Sequence, residues 1–116
     1  MRVRSLALAG LAAGFLLSVV GLVQPSLAAD NEVIIKIKDH RFDPETVEVP
    51  AGKKVKLVIR NEDPTPEEFE SYSLNREKII PGNSEGVVFV GPLDPGTYEF
   101  FGEFNEDTAQ GKLIAK

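Results

Sequence analysis

Apolar and polar residues alternate along "EVIIKIK" (32–38) and again along "KKVKLVIR" (53–60). A two-residue period is the repeat of a strand with one face buried. Val33, Ile35 and Ile37 share a face of the first run, and Val55, Leu57 and Ile59 a face of the second. "TVEVP" adds a short strand, and "AGKK" turns the chain with Gly52 at the tight bend. "EKII", "EGVVFVG", "GTYEFF" and "GKLIAK" bring the set to about seven, separated by turn signals at Pro81–Asn83 and Leu93–Gly96. No convincing helical period follows the first thirty residues. The pattern predicts an all-β fold, an antiparallel sandwich with Greek-key connections. "NEDPTPEEFESYSLNR" (Asn61–Arg76), with two prolines and a dense acidic run, reads as one long irregular loop. Such loops on rigid sandwiches tend to carry function.

The N-terminal residues have a different design. A basic start with Arg2 and Arg4, an apolar run from Ser5 to Val23, and the small residues of "QPSLAAD" form the layout of a secretory signal peptide. Ser26 and Ala28 place cleavage after Ala28, giving segment 1–28 as the signal and 29–116 as the domain. An uncleaved anchor is the alternative, because the run approaches the roughly 18 residues a spanning helix needs. Pro25 and the cleavage-site residues favour removal, so stable membrane insertion is not expected and the protein is expected in the periplasm.

About 88 residues then remain, enough for one domain with one modest core. Without Arg2 and Arg4 the chain carries 11 basic and 18 acidic side chains, a net charge of −7. That balance argues against nucleic acid or anionic lipid and suits a cation or a basic protein patch. The chain has no cysteine, so disulfides, thiol catalysis, thiolate zinc sites and iron–sulfur clusters are excluded. The one methionine is the initiator, and His40 is the one histidine.

"FDPETVEVPAGKKVKLVIRNED" and "PGTYEFFGEF" together resemble the cupredoxins, through Phe42, Pro44, Ala51, Gly52 and Asn61. The resemblance implies that the family's first copper ligand falls at or beside Glu67. It puts Gly102 at the Cys position, Asn105 at the second His and Gln110 at the Met. A blue-copper centre depends on a thiolate, so no type 1 copper and no plastocyanin-like electron transfer are expected. "DHRFDP", "TPEEFESYSLNREKII" and "VGPLDPGTYEFFGEFNEDTAQG" look more specifically like the EfeO-type cupredoxin-like domains, periplasmic modules associated with bacterial iron uptake. That likeness covers nearly all of 29–116. It implies capture, delivery or oxidation of iron, with copper assisting, beside an iron permease or other periplasmic uptake components. The chain departs from this pattern at Asn105, where the family commonly has His.

Read without the family, Glu67, Glu68 and Glu70 belong to one loop and Glu103, Glu106 and Asp107 to another, and the fold should bring both loops to one end. Crowded carboxylates raise one another's pKa unless a cation neutralises them. Hard oxygen donors with at most one imidazole suit iron, manganese, calcium or magnesium, although the calcium-loop pattern is absent. The candidate metal ligands are therefore Glu67, Glu68 and Glu103, with Glu70, His40 and Asp107 as auxiliaries. The competing explanation is a solvated acidic surface. It would leave a metal-free domain that docks to another exported protein, with Phe101 or Phe104 exposed among the charges. For His40 the competing role is a locally hydrogen-bonded surface residue. A carboxylate acid–base pair as in glycosidases is a third reading, but so small a sandwich has little room for a substrate cleft. Catalysis is not expected beyond an accessory part in iron oxidation.

Overall fold

A computed structural model describes residues 31–116; the expected signal segment lies outside the described residues. Nine strands are formed among them: β1 Glu32–Lys38, β2 Arg41–Asp43, β3 Thr46–Val49, β4 Val55–Asn61, β5 Glu67–Ser71, β6 Arg76–Ile80, β7 Ser84–Val90, β8 Gly96–Gly102 and β9 Gln110–Ala115. A one-turn 3₁₀ helix, Glu103–Asn105, follows β8. Five strands make one sheet in the order β3-β9-β8-β5-β6, and four make the other in the order β2-β1-β4-β7.

The sandwich expected from period-two alternation is present, with three differences. Two strand pairs are parallel, β1 with β4 and β3 with β9, where the sequence suggested antiparallel pairing throughout. β2 is a three-residue strand too short to show a period. The third difference matters most for the site. Glu67–Ser71, expected within an irregular loop, is a strand between β8 and β6. Its inward positions are Glu67, Phe69 and Ser71, so two of three core-facing side chains are polar and the hydrophobic alternation is hidden. Ser71 is accommodated because its Oγ donates to the Glu99 carbonyl at 2.6 Å and accepts the Leu74 N–H at 3.2 Å.

The core between the sheets is built from Ile35, Ile37, Val55, Leu57 and Ile59 on one side and Phe69, Ile80, Phe100 and Leu113 on the other, all at most 1% exposed. Phe42, Phe69 and Phe100 meet in a three-ring cluster with centroids 5.0–6.3 Å apart. Pairs of this geometry add about 0.5–1.5 kcal/mol each beyond their area. Gly52 has φ +76°, the left-handed turn that its place in "AGKK" requires.

Buried polar side chains fasten the connections. Asn61 Nδ2 donates to the Thr65 and Ile80 carbonyls at 2.8 and 3.1 Å, and its Oδ1 accepts the Asp63 N–H. Asp63 in turn accepts the N–H groups of Asp39 and His40 at 2.8 and 2.9 Å. Those two residues form the β1–β2 turn at φ +53° and +59°, the left-handed pair that a tight hairpin requires. Burial alone would raise the Asp63 pKa, but these N–H donors and the nearby His40 outweigh it and hold it below 3.8. Its contribution to stability is therefore present above the ordinary carboxylate range and is lost on acidification through the lowered value.

Candidate functional site

In β5, side chains alternate across the sheet, so neighbouring glutamates have opposite fates. Glu67 points into the sandwich and is 1% exposed, while Glu68 and Glu70 stand on the outer face. β5 runs antiparallel to β8 with Phe69 opposite Gly102 and Glu70 opposite Phe101. Continuing that register by one residue puts Glu103, just past β8, beside Glu68. The structure brings Glu68, Glu70 and Glu103 together, with one oxygen from each lying within 4.8 Å of the others.

The electrostatics of this triad follow from its crowding. Glu70 is pushed up to about 7, first by the hydrogen bond it shares with Glu103, then by partial desolvation and the charges of Glu103, Glu77 and Glu68. Desolvation first, then Glu103 and Glu77, raises Glu68. Glu77, on β6 directly opposite Glu70, was not among the sequence candidates. Reading β5 as a strand would have revealed it, because the β5–β6 hairpin register pairs the two. The four Lys and Arg ion pairs among the described residues use Glu32, Glu48, Glu62 and Glu85, His40 lies beside Asp63, and none of these contacts reaches this group. Each of the three glutamates can turn a carboxylate oxygen toward a shared cation, a donor set suited to a hard ion.

The other candidates lie elsewhere. Glu67 is on the opposite side of its strand and its carboxyl oxygens are already engaged. Oε1 accepts the N–H groups of Glu68 and Phe104 at 2.9 and 2.8 Å, and Oε2 accepts from Asn105 Nδ2 at 2.7 Å. His40 sits 3.6 Å from Asp63 through Nδ1, and its carbonyl accepts from Thr108 Oγ1 at 2.6 Å. Together with Asp107, Glu106 and Glu103 it lines a separate open hollow. Among the described residues, only Glu103 borders both that hollow and the Glu68–Glu70 group.

The positions that the resemblance assigns to copper ligands form a filled end of the sandwich. Gly102 has φ −97° and ψ 112°, an ordinary extended conformation, so backbone torsion does not demand glycine there. Space does. A Cβ at Gly102 would lie 2.6 Å from Glu67 Cδ and 2.7 Å from both Glu67 Oε2 and Ala109 Cβ. Gln110 is exposed and donates to the Glu106 carbonyl at 2.7 Å. An acid with both oxygens engaged, a glycine and two amides do not fit a blue-copper centre, and no cysteine exists to supply its thiolate.

A two-sheet sandwich with mixed parallel and antiparallel pairing, and a short turn between β8 and β9 at the family's ligand end, defines a cupredoxin-type domain. The sequence model of the cupredoxin-like domain family matches residues 8–115, and the chain belongs to that family. An uncharacterised protein of Rickettsia prowazekii (strain Madrid E) is 51% identical over 92 residues, covering 78% of this chain and 74% of that protein. Among solved structures, auracyanin A, a blue copper protein from Chloroflexus aurantiacus, superposes with a TM-score of 0.64 at 17% identity, covering 73% of this chain and 98% of its own. The metal-binding domain of the Streptococcus pneumoniae Cu(I)-exporting ATPase CopA, solved with Cu(I), gives 0.62 at 15% identity, covering 73% and 84%. The fold is thus related to copper-binding proteins, on a chain that cannot build a thiolate copper centre.

Proposed function

We propose that this chain is an exported cupredoxin-like module that holds a hard divalent cation, iron foremost, on Glu68, Glu70 and Glu103, for a bacterial iron-uptake system. The observation that carries the reading is the convergence of three carboxylates, two from β5 and one from the residue that follows β8, within 4.8 Å and, among the described residues, without a paired cationic side chain. The family's metal-handling members support a cation as cargo, and the EfeO-type motifs support iron and an iron permease or related uptake component as partner. Export rests on the N-terminal residues 1–28. Glu67, Asp107 and His40 have no part in this site as we propose it: Glu67 is engaged inside the sandwich, and the other two face a different hollow.

Proton competition gives the first test. With Glu70 near 7, cation binding must displace its proton at lower pH, so affinity should fall about tenfold per pH unit below that value. The stability of the cation-free protein has the matching sign. Glu70 is held above its usual 4.5, so its protonation favours the folded chain. That contribution is complete below about 4.5 and is lost as pH rises through about 7. Added Mn(II) should therefore raise the Tm more at pH 8 than at pH 6. Calorimetric titration with anaerobic Fe(II), Mn(II) and Cu(II) should give micromolar or tighter binding that weakens at least tenfold in Glu68→Gln/Glu70→Gln. Heats no larger than dilution for all three ions would overturn the reading.

A second reading has its own observation. The closed ligand end around Glu67, Gly102 and Asn105 favours a domain that keeps the fold as a scaffold for protein docking and binds no metal. Titrations without heat would move the weight to it.

A further inference from the structure

The outer face of the five-stranded sheet carries a second feature, beside the carboxylate triad. Tyr72, in the β5–β6 turn, is 79% exposed. It packs edge-on against Phe101 with centroids 5.4 Å apart and planes at 61°. The two rings, with Ser73, Thr97 and Glu99, line an open hollow of about 440 Å³, at the lower end of the roughly 300–1,000 Å³ range of small-ligand clefts. Acids flank the rings on both sides. Glu70 lies directly across from Phe101 and Glu99 is two residues before it on β8. Lys112 is the cross-strand neighbour of Glu99, but no salt bridge forms between them.

From this arrangement we infer that the Tyr72–Phe101 hollow is a docking surface for an arginine-bearing extended segment of a partner protein. The charge of the rim selects a cationic occupant, and the walls select its type. A guanidinium is planar and weakly hydrated, stacks on aromatic faces and engages a carboxylate with two parallel N–H donors. An ammonium is a strongly hydrated point charge and uses the aromatic walls less well. The segment is extended because Thr97, Glu99 and Phe101, alternate residues along β8, line the hollow, and a strand-like chain presents every second side chain to such a row. This surface shares Glu70 with the proposed cation site but does not depend on that site being occupied.

The test is nitrogen-15 shift mapping of the exported protein with two blocked pentapeptides, Gly-Arg-Gly-Arg-Gly and its lysine counterpart. Expected are saturable shifts centred on Tyr72, Ser73, Thr97, Glu99 and Phe101, with the arginine peptide at least threefold tighter. Tyr72→Ala should weaken that peptide at least fivefold while leaving Mn(II) affinity unchanged, which separates this surface from the cation site. Shifts spread over all acidic residues, equal binding of both peptides, or indifference to Tyr72→Ala would overturn the proposal. So would concentration-dependent self-association mapped to the same residues, because the occupant would then be a second copy of the chain.

Discussion

Glu67→Ala is expected to lower the unfolding free energy by about 3–5 kcal/mol, because it strands the N–H groups of Glu68 and Phe104 and the Asn105 amide at a position 1% exposed. Each buried donor left without a partner costs about 1–3 kcal/mol, and water entering the vacated space recovers part of that. For a domain of this size, the loss is a Tm decrease of roughly 12–40 °C, at about 4–8 °C per kcal/mol. Glu67→Gln is the informative companion. It keeps one acceptor oxygen but turns an NH₂ group toward existing donors, so a smaller loss of about 1–3 kcal/mol is expected. Chemical denaturation of both variants checks the ranking. Equal stability of the two would mean that the carboxyl fills space and does not organise the donors around it.

Gly102→Ala should be nearly as damaging, for the opposite reason. The new methyl would have to occupy space held by the Glu67 carboxyl and Ala109 Cβ, at 2.6–2.7 Å. Overpacking typically costs about 1–3 kcal/mol, and pushing the carboxyl aside also breaks its bonds, so about 3 kcal/mol is expected. The two substitutions should couple. With the carboxyl already gone in Glu67→Ala, part of the room for a Cβ at Gly102 exists. The double variant should therefore be more stable than the sum of the singles implies, by roughly 1–3 kcal/mol. Strict additivity would separate the two residues energetically and refute the argument that Gly102 is a glycine because Glu67 fills its space.

The sandwich was legible from sequence because most core positions lie on strands with an apolar inward face, as in β1, β4 and β7. β5 was hidden because Glu67 and Ser71 face inward, and their polarity erases the period that would mark a strand. The acidic cluster was visible as composition but not as geometry. Treating "EEFES" as a loop placed Glu67, Glu68 and Glu70 together, whereas the strand sends Glu67 to one face and its two neighbours to the other. Glu77 escaped notice for the same reason, since only the β5–β6 register brings it opposite Glu70. His40 could not be placed by type alone. What fixes its position is Asp63, 23 residues away, which binds its N–H and sits beside its ring.

Paramagnetic broadening by Mn(II) tests the central claim most directly, because it reports where a hard cation sits without relying on any variant folding. At substoichiometric Mn(II) and pH 7.5, the amides of Glu68, Glu70 and Glu103 should broaden first, followed by that of Glu77. The hollow lined by His40, Glu106 and Asp107 should be affected later and less. Broadening centred on His40 and Asp107, or no localised broadening anywhere, would contradict the assignment of Glu68, Glu70 and Glu103 as the cation site.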